Sequence, residues 1–184
     1  MDKKAEEFVR LLTPLKKSLS GFIRYLLWNK QDFEDALQNV LTEAYRKFDQ
    51  FMPGTNFKNW IFHVASFTVF NMNRKYERDK QVILSEEIEQ PAPDSLYENT
   101  DYQDLLTKDD MVLEKMSDEV KASLNLLTEI ERAVFLLRSL GDESYAEIAE
   151  TLKIPGGSVM AYLSRARVKL RKHLIDHAKE GGYV

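Results

Sequence analysis

Apolar residues in the first third of the chain return every three or four positions. Phe33, Ala36, Leu37, Val40, Leu41, Ala44, Tyr45 and Phe48 follow i, i+3, i+4, i+7, i+8, i+11, i+12 and i+15, which is the stripe of a long amphipathic helix. Asp32 stands where an N-cap is expected. The opposite face carries Glu34, Asp35, Gln38, Asn39, Thr42 and Glu43, an acidic and amide surface that is either simply solvated or a dock for a basic partner. The run from Asp49 to Asn56 contains Pro53-Gly54 and breaks the pattern. A second helix is predicted from Phe57 to about Lys80, capped by Asn56. Its aromatic residues Phe57, Trp60, Phe62, Phe67, Phe70 and Tyr76 spread around the circumference. Phe62 and Phe70 share a side with Asn59, Ser66 and Asn73, and the end is basic, with Arg74, Lys75, Arg78 and Lys80. Rings beside cations suit single-stranded nucleic acid, because bases stack on the rings while cations track phosphates. For Trp60, Val64 and Phe67, burial between neighbouring helices is the better account.

Periodicity then weakens until about Leu105. Residues 81 to 119 hold twelve Asp or Glu against two Lys and include Pro91-Ala-Pro93, the composition of an acidic linker. It separates an N-terminal helical domain, residues 1–80, from a C-terminal one, residues 112–184, with residues 81–111 as the linker. A solubilising spacer explains this composition; mimicry of nucleic acid inside a basic channel is the alternative.

The C-terminal half contains two short helices broken by a tight turn. Ser144 followed by Glu147 is a capping-box signature. Ile148, Ala149 and Leu152 form an inward stripe, and Ile154-Pro155-Gly156 ends the helix, since proline lacks a donor and disfavours a helical residue before it. In the next helix, beginning near Gly157, Val159, Leu163, Ala166 and Leu170 recur on one face and are expected to pack on Leu136, Leu137 and Leu140. The other face holds Ala161, Ser164, Arg165, Val168 and Lys172. From Lys153 through Ile175 there are six Lys or Arg, Lys153 included, and no Asp or Glu, in a chain of net charge −4. A capping box, a Pro-Gly turn and a basic second helix match a helix-turn-helix that lays its second helix in the DNA major groove.

Whole-chain composition narrows the class. With 184 residues, 43% of them hydrophobic, the chain can bury one or two cores. It has no cysteine, which excludes disulfides and cysteine zinc sites and fits a reducing cytoplasm. The N-terminus lacks the apolar run of a signal peptide, and no segment approaches a membrane span. The expected fold is all-α, two helical domains joined by an acidic linker. Of the three histidines, His173 and His177 sit at i, i+4 but have no third ligand at suitable spacing. No phosphate-cradling loop or nucleophile motif is found, so no cofactor is expected and an enzyme is disfavoured.

Three stretches resemble a known family. Asp32-Phe-Glu-Asp-Ala-Leu-Gln38, Tyr45-Arg-Lys-Phe-Asp-Gln-Phe51 and Pro53-Gly-Thr-Asn-Phe-Lys-Asn-Trp60 are similar to region 2 of extracytoplasmic-function sigma factors of bacterial RNA polymerase. Leu126-Leu-Thr-Glu-Ile-Glu-Arg132 and the helix-turn-helix are similar to their region 4. The resemblance implies a dissociable promoter-specificity subunit with no chemistry of its own. It implies that Asp32, Asp35, Gln38 and Asn39 bind the clamp coiled coil of core RNA polymerase. It implies that Asn56, Lys58, His63, Phe67, Phe70, Asn71, Arg74 and Lys75 capture a flipped base and the melted strand of the minus-ten element, whose extrusion costs a few kcal/mol. Region 4 would bind promoter DNA at minus thirty-five through the helix bearing Ser158, Met160, Ala161, Tyr162, Ser164 and Arg165, with phosphate contacts from Arg167, Lys169, Arg171 and Lys172.

The chain departs from the family pattern at Asn39, where an acid is usual, at Phe67, usually polar, and at Met160 and Ala161, usually Arg or Lys and Ser. Met160 and Ala161 offer thymine methyls apolar contact but no bidentate bond to guanine, which leaves Arg165 as the main hydrogen-bonding reader. These departures imply a non-standard promoter consensus. Whether an anti-sigma factor clamps the two domains is left open. Two rival readings are an autonomous helix-turn-helix regulator with an N-terminal sensor or dimerisation domain, and an adaptor that holds proteins through its aromatics and acidic linker.

Overall fold

The computed structural model describes residues 3–86 and 122–180. Four helices make the N-terminal body: α1 (Lys3–Leu12), α2 (Lys16–Leu26), α3 (Phe33–Lys47) and α4 (Phe57–Glu86). Among the described residues three more make the C-terminal body: α5 (Glu129–Ser139), α6 (Tyr145–Leu152) and α7 (Gly156–Glu180). No strand occurs among the described residues, in line with the all-α expectation. Most of the linker read from the sequence, from residue 87 onward, lies outside the described residues, as does the tail after Glu180.

The apolar periodicity of α3 is realised in packing. Ala36, Val40 and Ala44 are fully buried and Phe48 nearly so, while Phe33, Leu37, Leu41 and Tyr45 flank them. Small residues at 36 and 44 let α3 approach α4 closely, with larger side chains closing the sides. The ring of Phe8 on α1 meets those of Tyr45, Phe48 and Phe57 edge-on at 5.5, 5.2 and 6.1 Å, the geometry the ring quadrupoles favour. Trp60 continues this cluster against Phe48, Phe51 and Phe57 at 6.1, 5.5 and 5.6 Å, so its expected burial is met in part. Gly54 in the preceding loop has φ +90°, a conformation that a Cβ would strain.

Several boundaries differ from the sequence reading. Asp32 occupies the N-cap position of α3, but its side chain makes no cap hydrogen bond. It already belongs to a short 3-10 turn over Lys30–Asp32, capped by Asn29 Oδ1 accepting from Gln31 N at 3.2 Å. Asn56 does cap α4, its Oδ1 accepting from Asn59 N at 3.3 Å. That helix runs through Glu86 rather than ending near Lys80, because nothing between Lys80 and Glu86 breaks it: the stretch contains neither proline nor glycine.

The two bodies are packed on each other: α2 lies against α5, and α4 lies against α6. The core is therefore continuous across them. This explains why the first half of α4, from Phe57 to Phe70, is buried on more than one side. Ile61, Ala65 and Val69 are buried, and so are Phe62, Ser66 and Asn73 on another side, as a helix wedged between neighbours requires.

Candidate nucleic-acid interface

The helix-turn-helix is built by local hydrogen bonds. Ser144 N donates to Glu147 Oε2 at 2.8 Å and Glu147 N donates to Ser144 Oγ at 3.3 Å, completing the predicted capping box at the start of α6. The helix stops at Lys153, which is left-handed at φ 54° and ψ 44°. Its amide bonds the Glu150 carbonyl at 3.3 Å, and the Ile154 amide bonds the Ala149 carbonyl at 3.0 Å, a glycine-type helix terminus made by a lysine. The sequence reading placed the break at Ile154-Pro155-Gly156; the chain reverses one residue earlier, and Gly156 and Gly157 already belong to α7.

Within α7 the two faces separate as the spacing requires. Val159, Leu163, Ala166 and Leu170 are buried, and Met160, Ala161, Ser164, Arg165, Arg167, Val168, Arg171 and Lys172 are exposed. Ser158, Tyr162 and Lys169 are half-buried. Met160 and Val168 are 62% and 65% exposed, so the reading face is apolar at both ends with Ser164 and Arg165 between them. The Arg165 guanidinium sits 4.7 Å from the Tyr162 ring centroid, a cation-π contact.

Beneath this face lies a carboxylate that the sequence reading did not single out. Glu131 of α5 is buried; its Oε2 accepts from Thr128 N at 3.0 Å and from Lys169 Nζ at 2.6 Å, and its Oε1 lies 3.4 Å from Arg165 Nε. Burial pushes the Glu131 carboxyl upward, but the hydrogen bonds from Lys169 and Thr128 outweigh it and hold the group below the usual carboxylate range. Lys169, expected to contact phosphate, is thus engaged within the protein. Thr128 followed three residues later by Glu131 is the same capping-box signature as Ser144 and Glu147, and reading it would have found this site.

The residues assigned to a melted strand are not gathered on one surface. His63, Phe67, Asn71 and Lys75 line one open groove with Asn39 and Glu43 of α3 and with Lys153 just past the end of α6. Phe67 is exposed although the sequence reading favoured its burial; its ring meets Phe70 edge-on at 5.8 Å and lies tilted against His63 at 4.7 Å. Phe70 itself is buried, with 6% of its surface exposed, so in this arrangement no base reaches its face. Arg74 lines the adjoining surface with Asn71, Glu77 and Arg78. Asn56 lies at the far end, beside Trp60, His63 and Thr151.

Two of these residues are held by the other body. Lys58 Nζ donates to the Gly141 carbonyl, and His63 Nδ1 lies 2.8 Å from the Thr151 carbonyl, so Nδ1 carries the proton, since a carbonyl only accepts. Gly141 is constrained in turn: a Cβ there would stand 2.7 Å from the Leu137 carbonyl oxygen. Arg132, 2% exposed, reaches across to the Leu27 carbonyl at 3.5 Å and bonds Asn125 Oδ1 at 3.4 Å. Burial lowers its pKa to about 10. Glu143, fully buried at the same seam, is pushed up to about 7 by burial, against the pull of Lys58 and of the Thr151 hydroxyl.

The residues assigned to a protein partner form a continuous surface. Asp32, Asp35, Gln38 and Asn39 line a groove with Lys75, Tyr76 and Asp79; Asp35, Gln38 and Asn39 are exposed and Asp32 is half-buried. Further along the same face Glu43 pairs with Arg46 and Lys47 at 2.8 Å each, and these hydrogen bonds hold its pKa at about 2.

Comparison with known proteins follows this division. The family model described as sigma-70 region 2 matches residues 11–79, and that described as sigma-70, region 4 matches residues 117–170. The ECF RNA polymerase sigma factor SigW of Bacillus subtilis is 28% identical over 171 residues, 93% of this chain and 90% of SigW. The ECF RNA polymerase sigma-E factor of Escherichia coli K12 is 29% identical over 141 residues, 74% of this chain and 70% of that protein. Among solved structures, the sigma factor RpoE in complex with the anti-sigma factor NepR from Bartonella quintana superposes with a TM-score of 0.69 at 26% identity, covering 92% of this chain and 97% of RpoE. CnrH in complex with the cytosolic domain of CnrY shares the fold, with a TM-score of 0.63 at 20% identity over 94% of this chain and 90% of CnrH. With both sigma-70 regions present in order on the two bodies described above, the chain belongs to the sigma-70 family, in its extracytoplasmic-function group of RNA polymerase sigma factors.

Proposed function

We propose that this sigma factor directs bacterial RNA polymerase to its promoters with α7 as the minus-thirty-five reader and the α3–α4 groove as the minus-ten site, and that it contributes no catalytic step of its own. The observation that carries the reading is the division of α7 into a buried stripe and an exposed face bearing Met160, Ala161, Ser164 and Arg165. Arg165 is the reader able to bond guanine bidentately, while Met160 and Ala161 favour thymine methyls. Arg167, Arg171 and Lys172 supply salt-dependent phosphate contacts that carry no base information. Core polymerase docks on Asp32, Asp35, Gln38 and Asn39. Residues 1–80 and 112–184 act as the two promoter-binding domains, joined by the acidic stretch between them, and the protein works in the cytoplasm.

The packed arrangement bears on how this happens. Lys58 and His63 spend their hydrogen bonds on the C-terminal body, so minus-ten capture through these two requires the bodies to separate, and Phe70, buried in the packed form, has to be uncovered before a base can reach it. The compact form is similar over most of its length to a sigma factor solved with an anti-sigma factor, which supports an anti-sigma factor as the partner that holds this chain closed.

The test is in-vitro transcription with core polymerase and a promoter pool randomised at both elements. The expected product is an upstream element rich in thymine with one preferred guanine, lost in Arg165→Ala at a cost of about 1–3 kcal/mol. Recovery of the ordinary guanine-rich upstream element would refute the altered readout. Failure of the purified protein to associate with core polymerase would refute the function.

A further inference from the structure

We propose that Glu131 is a positioning residue for promoter readout: from beneath α7 its carboxylate holds Arg165 in the pose that meets the DNA and keeps Lys169 off the phosphates. The inference rests on α7 being the reading helix and deepens that assignment.

Three features set Glu131 apart from a surface ion pair. Its carboxylate is buried, with 4% of the side chain exposed, whereas surface pairs gain little because water and side-chain motion compete with them. It is anchored through the backbone as well: Oε2 accepts from the Thr128 amide at 3.0 Å while Thr128 Oγ1 accepts from the Glu131 amide at 3.4 Å. Such a box fixes the carboxylate before any cation arrives. It also serves two cations one helical turn apart, Lys169 Nζ at 2.6 Å on Oε2 and Arg165 Nε at 3.4 Å on Oε1.

The consequence for Arg165 is geometric. Contact through Nε leaves the two terminal nitrogens of the guanidinium free, and these form the fork that fits guanine O6 and N7. The ring of Tyr162 supports the guanidinium plane at 4.7 Å. Held by a carboxylate on one edge and a ring on its face, the side chain loses less freedom when it binds a base. The same carboxylate draws Lys169 back from the phosphates.

The cap alone does not need a charge, because glutamine serves at this position of a capping box as well as glutamate. Glu131→Gln therefore separates the two roles. The experiment reconstitutes holoenzyme from core polymerase with wild type, Glu131→Gln, Arg165→Ala or Tyr162→Leu, and measures binding to promoters carrying each base at each upstream position, over a range of salt. For Glu131→Gln the expected result is a roughly ten-fold loss of discrimination at the position read by Arg165, together with a salt dependence steeper by about one unit as Lys169 is released to phosphate. A purely structural role would weaken all sequences alike. Tyr162→Leu is expected to lower discrimination at that same position and serves if Glu131→Gln does not fold. If Arg165→Ala leaves base preference unchanged everywhere, reading through α7 is wrong. If Arg165→Ala acts while Glu131→Gln keeps or sharpens discrimination, the positioning role alone is overturned.

Discussion

Asn73 of α4 donates from Nδ2 to Glu129 Oε1 of α5 at 3.0 Å, joining the N-terminal and C-terminal bodies through one buried amide. The same nitrogen lies 3.2 Å from the Leu26 carbonyl, and Oδ1 accepts from Trp28 N at 3.1 Å. One side chain thus satisfies the end of α2, the start of the next turn and a carboxylate on the opposing body. A buried amide left without these partners is costly.

Asn73→Asp is expected to open the packed form. It removes both donors and sets a second carboxylate against Glu129, whose pKa burial already raises, against the pull of Asn73. Stability should fall by roughly 1–3 kcal/mol. Small-angle scattering at neutral pH should record a larger radius of gyration; an unchanged radius would remove Asn73 as the tie between the bodies.

Glu143 makes the fold sensitive to pH. Its carboxyl titrates near 4.5 when free and is raised to about 7 here, first by burial and only partly relieved by Lys58 and Thr151. The folded state therefore holds the proton more tightly than the unfolded chain. Its stabilising contribution is complete below about 4.5 and is lost as pH rises toward about 7. Glu143→Gln should flatten that part of the stability profile and make the protein more stable than wild type above pH 7. Denaturant titrations of both proteins across this window decide the matter, and parallel profiles would contradict it.

Lys153 carries the left-handed turn of the helix-turn-helix at φ 54°. Lys153→Gly should raise stability by about 0.5–1 kcal/mol, since glycine adopts this conformation without the Cβ penalty. Thermal unfolding of the variant measures the gain directly. A loss would mean that the lysine side chain, which lines the open groove beside Phe67, contributes more than its backbone costs.

Asp35 is exposed on the polar face of α3. Asp35→Arg should leave stability within about 0.5 kcal/mol of wild type, as surface changes away from special features do, and should abolish association with core polymerase. Size-exclusion co-elution reports the second effect, and retained association would move the docking surface elsewhere.

Much of the site was legible in the residues. The stripe of α3, the Asn56 cap, the Ser144–Glu147 box and the two faces of α7 all rest on interactions spanning three or four residues, and they leave periodic marks in a sequence. The misreadings share the opposite character. Asp32 failed as a cap because a 3-10 turn formed ahead of it. Phe67 and Phe70 exchanged their expected environments because α4 has neighbours on two sides, and periodicity records that a helix is buried all round without saying by what. Glu131 was signposted by its capping box, but its second use depends on where α7 crosses α5.

By itself the amino-acid order determined α3, most of α4, the helix-turn-helix with its Ser144–Glu147 box, the two faces of α7 and the family, because each depends on local geometry or on spacing along one face. Only the tertiary structure decided that the two bodies close on each other. Lys58 meets Gly141 across 83 residues of chain, His63 meets Thr151 across 88 and Arg132 meets Leu27 across 105. Each contact joins a charged or polar side chain to a backbone carbonyl, and every residue offers a carbonyl whatever its identity. Such partners leave no trace in composition or spacing, so they emerge only when packing brings the two surfaces together.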